Sequence, residues 1–137
     1  MIRPVFHLSL PVSDIDRSAA FYHEAFGAEF GRIGRGWRDV WAFGGQITLQ
    51  HDPEAAALAA NLGRHHYGAT LPWDAWSDAL DRLRRAGVAP ERDPLILHPG
   101  RPDEQAKVYV RDPDGWVIEL KAYRDPPLAL ERPTFPD

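Results

Sequence analysis

Three side chains in this sequence have the types and surroundings that hold a divalent metal: His7, His66 and Glu119. His7 opens the run His-Leu-Ser-Leu-Pro-Val, and His66 opens His-Tyr-Gly-Ala-Thr-Leu. In both runs the third and fifth residues after the histidine are apolar. In an extended strand each imidazole therefore points away from the face that those anchors bury. Glu119 lies in Trp-Val-Ile-Glu-Leu, where an unpaired charge would be costly and a cation partner is expected. Two imidazoles and one carboxylate from separate strands can occupy one face of an ion and leave other positions open. That donor set serves Fe(II) in oxygen chemistry and also suits Mn or Zn. The chain has no cysteine, so thiolate sites and disulfides are excluded. Each residue alone has a plainer reading, as a hydrogen-bonded strand histidine or a carboxylate paired with arginine; it is the three together that point to a metal. His65 adjoins His66, so the two must face opposite ways and only one can be inward.

The elements that would position these groups come in two similar sets. Residues 4–12 alternate as a strand, and Ser13-Asp14-Ile15-Asp16 supplies a cap and an acidic first turn for a helix. Ile15, Ala19, Tyr22 and Phe26 form its apolar stripe, and Gly27 is placed to end it. Strand-like runs follow at 28–33, 37–43 and 46–51. The second half repeats the order, with a strand at 66–71, Asp74 as the expected cap, a stripe of Trp76, Ala79, Leu80 and Leu83, and Gly87 as the stop. Asp14 and Asp74 are 60 residues apart, as are Gly27 and Gly87, which is the mark of a duplicated unit. Strands are expected at 88–92, 105–111 and 116–122, the last two joined by an Asp-Pro-Asp-Gly turn.

The expected fold is thus α+β, with paired β-α-β-β-β modules forming a curved-sheet, metal-lined cleft. The domain would span 1–123: repeat one at 4–51, a linker at 52–64 with a short helix, and repeat two at 65–123. The proline-rich residues 124–137 would form a loose tail. A net charge of −4 and the lack of a basic stripe argue against a nucleic-acid partner; the dense run Arg82–Arg85 reads as a solvated helix face. Neither a membrane-spanning run nor a signal peptide is evident, which leaves a cytoplasmic location as the default expectation.

Two stretches make the sequence resemble the vicinal oxygen chelate superfamily, which includes glyoxalase I, bleomycin and fosfomycin resistance proteins and type I extradiol dioxygenases. They are His7-Leu-Ser-Leu-Pro-Val-Ser-Asp-Ile-Asp-Arg-Ser-Ala-Ala-Phe-Tyr, with Phe26-Gly27 closing the helix, and Asp112-Pro-Asp-Gly-Trp-Val-Ile-Glu-Leu120. The resemblance spans roughly residues 4–123 and implies metal ligands at His7, His66 and Glu119. Many members are dimers, some with halves exchanged, so a homodimer is expected and two subunits could share the ligands. Tyr109 through Glu119 is similar to the extradiol pattern of Tyr, Asp-Pro, Gly and Glu, in which the tyrosine binds a catecholate oxygen. That family also carries a histidine that handles protons and O2, and His51 stands at the matching place. His98 is a candidate for a further family histidine upstream of the tyrosine.

The small single-domain extradiol dioxygenases are the subgroup the chain most resembles. This implies Fe(II), with Mn, Zn, Ni or Co as alternatives, and a small substrate that chelates through vicinal oxygens while O2 binds beside it. Trp41 and Tyr67, with Trp37 and Phe43, could line an apolar pocket or belong to the core. A glyoxalase I reaction would need a carboxylate on the last strand of the first half, and 46–51 has none. Two rival readings remain open: a non-oxidative metal-dependent isomerase, lyase or transferase of the glyoxalase or fosfomycin-resistance type, and a ligand-sequestering protein. For a phosphonate pocket the available cations are Arg35, Arg38 and Lys107.

Overall fold

The computed structural model describes residues 3–127; most of the expected tail lies outside them. The chain forms two four-stranded sheets, each with a helix. The first half is β1 (His7–Val12), α1 (Ile15–Phe26), β2 (Glu29–Gly34), β3 (Trp37–Ala42) and β4 (Gly45–His51). After a short α2 (Pro53–Ala56) and a turn of 3-10 helix, the second half is β5 (Tyr67–Leu71), α3 (Trp73–Arg85), β6 (Leu95–Leu97), β7 (Gln105–Arg111) and β8 (Val117–Tyr123). The strand orders are β1-β4-β3-β2 and β5-β8-β7-β6, the same order twice. In each sheet the first and last strands pair in parallel and the others antiparallel. Among the described residues no helix is long and apolar enough to cross a membrane.

Local chemistry accounts for most boundaries. Asp14 caps α1 by accepting from the Arg17 N–H, and Gly27 closes it in the left-handed conformation, φ 71°. The buried stripe of α1 is Ser18, Ala19, Tyr22 and Ala25, and that of α3 is Trp76, Leu80 and Leu83. Arg82 of α3 donates to the carbonyls of His23 and Glu24 at the end of α1, satisfying orphan acceptors and tying the two helices together.

Three expected boundaries differ. Asp74 is not the cap of α3: the helix starts at Trp73 after Pro72, and Asp74 instead places its charge in the first turn, where the helix dipole favours it. Residues 88–92 are not a strand. Pro90 has no N–H to offer a ladder, only Glu91 N bonds to Tyr109 O, and the strand forms later, between Pro94 and Pro99. His66 lies just before β5 rather than inside it.

Each sheet has a dry face and a polar face. Leu10, Val12, Val40, Ile47 and Leu49 of the first, and Val108, Val110, Ile118 and Leu120 of the second, are buried in one core with the helices. The alternate residues of the same strands, His7, Ser9, Asp39 and Thr48 in one sheet and Lys107, Tyr109, Glu119 and Lys121 in the other, lie on the faces opposite that core.

The Asp-Pro-Asp-Gly turn also joins the halves. One Asp112 oxygen accepts from the N–H groups of Asp114, Gly115 and Trp116, and the other accepts from the Tyr22 hydroxyl of α1. Tyr67 of β5 donates in turn to the Tyr22 hydroxyl. Asp114 accepts from Ser13 N and Oγ, and Trp116 Nε1 donates to Pro11 O at 2.8 Å. Burial pushes the Asp112 carboxyl up to about 6, against the pull of its hydrogen bonds.

Candidate metal centre

His66 and Glu119 meet. Nε2 of His66 is 2.9 Å from Oε2 of Glu119, and its Nδ1 is 2.7 Å from the carbonyl of Arg64. A carbonyl only accepts, so Nδ1 must carry a proton. In a neutral ring Nε2 then presents a lone pair to a carboxylate oxygen. Two lone pairs at that distance require a cation between or beside them: a proton, which makes imidazolium, or a metal. Glu119 is only 7% exposed, which raises the cost of leaving it unmatched. This donor pair fits a divalent ion of the kind that binds imidazole and carboxylate.

Backbone packing sets the approach. Gly68 pairs with Glu119 across β5 and β8, and a Cβ at 68 would run into the Glu119 carbonyl. Glycine there lets β5 close on β8 and brings His66 to the carboxylate. On the other side Tyr109 pairs with Glu119 across β7 and β8, and its ring meets the His66 ring edge-on, centroids 5.7 Å apart. Burial, then the adjacent Glu119 carboxylate, raises the Tyr109 hydroxyl, so it stays protonated and can donate.

His7 does not join them. Among the described residues, no three His, Asp or Glu side chains of one chain gather closely enough to hold an ion. Within one chain the three expected ligands are thus divided, His66 and Glu119 at one sheet and His7 at the other. His7 lies on the polar face of the other sheet, in a row with Gln46 and Trp41. Next to that row, Ser9, Thr48 and Asp39 align just as Gly68, Glu119 and Tyr109 do in the second half. Thr48 thus stands where Glu119 stands in the other copy, and a hydroxyl replaces the carboxylate that a fourth ligand would need.

The remaining expected residues divide. Trp41 shares the His7 face and is well exposed. His51 does not: Val12 pairs with His51 and Pro11 with Gln50, so His51 falls on the side of Leu49, opposite His7. Tyr67 is also turned from the polar face, packing on the core and donating to Tyr22, while with Phe43, Phe6 and Leu8 it lines a separate apolar recess away from His66 and Glu119. His98 sits in the β6–β7 connection with φ 51° and pairs with Asp103 at 2.6 Å. The preceding residue, Leu97, pairs with Gln105, which is four residues, about 13 Å, along β7 from Tyr109. His65 turns away from His66 toward the Trp116 ring. Of the candidate cations, Arg38 stacks on Phe30, while Lys107 pairs with Lys121 in the row beside Glu119.

Asp39 was missed from sequence. It is fully buried on the His7 face, where Arg32, Gln46 and Thr48 all donate to it. Burial alone would raise its carboxyl, but the bonds from Thr48 and Arg32 outweigh burial and hold it low. Its signal in Trp37-Arg-Asp-Val-Trp41 is weaker than that of Glu119, because the adjoining Arg38 makes the stretch read as an exposed ion pair.

An α+β domain with the same sheet order twice and an adjacent His–Glu pair defines the class of protein, and comparison with known proteins agrees. Residues 5–120 match the Glyoxalase/Bleomycin resistance protein/Dioxygenase superfamily. The chain belongs to that family. It is 28% identical over 129 residues to the glutathione transferase FosA of Serratia marcescens, covering 88% of this chain and 81% of that one. It is 27% identical over 121 residues to the metallothiol transferase FosB of Lysinibacillus sphaericus, covering 87% and 82%. In fold it is similar to a glyoxalase/bleomycin resistance protein/dioxygenase from Alicyclobacillus acidocaldarius, with TM-score 0.78, 22% identity and 89% and 92% of the two chains covered. It is similar also to the fosfomycin resistance protein FosX of Listeria monocytogenes, with TM-score 0.69, 20% identity and 89% and 94% covered.

Proposed function

We propose that this protein is a divalent-metal-dependent enzyme of the non-oxidative kind, a thiol transferase acting on a small substrate chelated through neighbouring oxygens. The observation that carries the reading is the His66–Glu119 contact, with Nδ1 committed to the Arg64 carbonyl so that Nε2 is left for a cation. His7 from a second copy would complete the ligand set, which makes the working unit a homodimer with exchanged halves. When bound, the metal supplies Lewis-acid polarisation of the substrate oxygen. The chain's own groups do the rest. Tyr109 donates a hydrogen bond to a substrate oxygen beside Glu119. Lys107 and Lys121, in the next row, offset negative charge at the chelating end. Thr48, where a fourth carboxylate would stand, leaves room for substrate.

Two features favour this over oxygen chemistry. His51, the residue that would handle protons and O2, is on the wrong face. The relatives named as thiol transferases match most of the chain. The test is to load the purified protein with Mn(II), Fe(II), Zn(II), Ni(II) or Co(II) and follow thiol loss with fosfomycin plus glutathione or cysteine. Metal-dependent thiol consumption supports the reading; no binding of any of these ions defeats it. The placement of Tyr109 beside His66 and Glu119 favours a second reading, Fe(II)-dependent extradiol cleavage. Oxygen uptake with a catechol under anaerobically loaded Fe(II) would establish it in place of the first.

A further inference from the structure

We propose that the recess beside His66 is a recognition pocket for an anionic group of the substrate, set apart from the oxygens that chelate the metal; this rests on the metal-dependent reading above. The recess has a volume of about 580 Å3, and Arg64, Arg92 and Arg111 line it together with His66, Tyr109 and Glu91. Pockets of roughly 300–1,000 Å3 hold whole small molecules, so there is room for more than a chelating group.

The three arginines are not equivalent. Arg111 donates to Glu91 at 2.8 Å and to the Gly115 carbonyl at 2.9 Å, which fixes its plane and offsets its charge. Arg92 lies over the Tyr109 ring, 4.9 Å from its centroid. A guanidinium carries five N–H donors, so its contact with Tyr109 leaves enough of them for the two-point binding of a carboxylate, phosphate or phosphonate. Arg64 gives its carbonyl to His66. Among the described residues neither Arg64 nor Arg92 has a carboxylate partner. Two unmatched positive charges therefore meet at one recess of a chain whose formal net charge is −4. Tyr109 is the spacer: one side of its ring meets His66 and another carries Arg92. An anion on Arg92 would sit one aromatic ring away from the metal ligands. The substrate class that matches is a small acid with a carboxylate, phosphate or phosphonate in addition to its chelating oxygens.

Calorimetric titration of metal-free protein with phenylphosphonate tests the pocket independently of the metal. The expected result is binding that weakens about tenfold or more in the Arg64→Gln/Arg92→Gln double variant and is kept in Arg84→Gln, a surface change on α3. Benzyl alcohol, the neutral counterpart, should not compete. The single variants serve if the double one does not fold. Three results would overturn the proposal: no binding to the wild type, affinity of the double variant within about twofold of it, or dissociation of the dimer by the double variant. The last would mean that the arginines serve a partner's carboxylates. Mn(II) binding, read separately from the loss of free-ion resonance signal, tells failure of the metal reading from failure of the pocket.

Discussion

Replacing Asp112 by Asn should change the pH dependence of stability in a way that can be worked out in advance. The carboxyl is buried, and burial raises it from 3.8 to about 6 in the folded protein. A folded value above the unfolded one means that the fold favours the protonated acid. The stabilisation is complete below about pH 4 and is lost as pH rises through about 6. About two pH units correspond to about 3 kcal/mol, to order of magnitude. Asn preserves the framework: its oxygen can take the three N–H groups of the turn, and its amide can donate to Tyr22, reversing the direction of the tyrosine chain. That substitution carries a pH-independent change of about 1 kcal/mol for the altered hydrogen bonds. Urea unfolding of both proteins from pH 4 to pH 7.5 isolates the group, because every other titration cancels in the difference. The Asn variant should gain on the wild type by about 3 kcal/mol across that range, most of it between pH 4 and 6. A difference that stays flat with pH would refute the claim that burial dominates at Asp112.

Other outcomes follow from the same geometry. An equal mixture of His7→Ala and Glu119→Gln proteins, unfolded and refolded together, should recover about one quarter of the Mn(II) sites of wild type, since half the dimers are mixed and each of those holds one intact site; no recovery would place all ligands in one chain. Gly68→Ala should destabilise the fold by about 1–3 kcal/mol in urea melts and weaken Mn(II) binding, by forcing β5 away from Glu119. His51→Ala should leave Mn(II) affinity and thiol turnover unchanged, and a large fall in turnover would return it to the site.

Much of the fold was legible because its signals are local. The Asp14 cap, the Gly27 stop and the apolar stripe of α1 are set by residues within a few positions of one another, and the repeat carried that reading to α3. Strand alternation likewise put His7 and Glu119 on polar faces. What could not be read is the relation between faces. His7 and His66 are counterparts in the repeat, yet equivalence says nothing of whether their two sheets turn toward each other in one chain. His51 shows the narrower limit: one residue of strand register decides its face, and Val12↔His51 puts it on the wrong one. Asp112 looked like a turn residue because the turn is local, whereas its bond to Tyr22 crosses the whole domain.

The separation of His7 from His66 and Glu119 bears on what the metal does to the protein as a particle. If the ion needs donors from two chains, binding and association are one linked equilibrium, and each tightens the other. Metal would then act as a clasp. Chelation should loosen the pair, and dilution should release the ion even at fixed metal activity. The first copy has Thr48 at the register position that Glu119 holds in the second, so it would bring a histidine without that carboxylate. On that reading the duplicated unit would hold two unequal half-sites that work only when they come from different molecules.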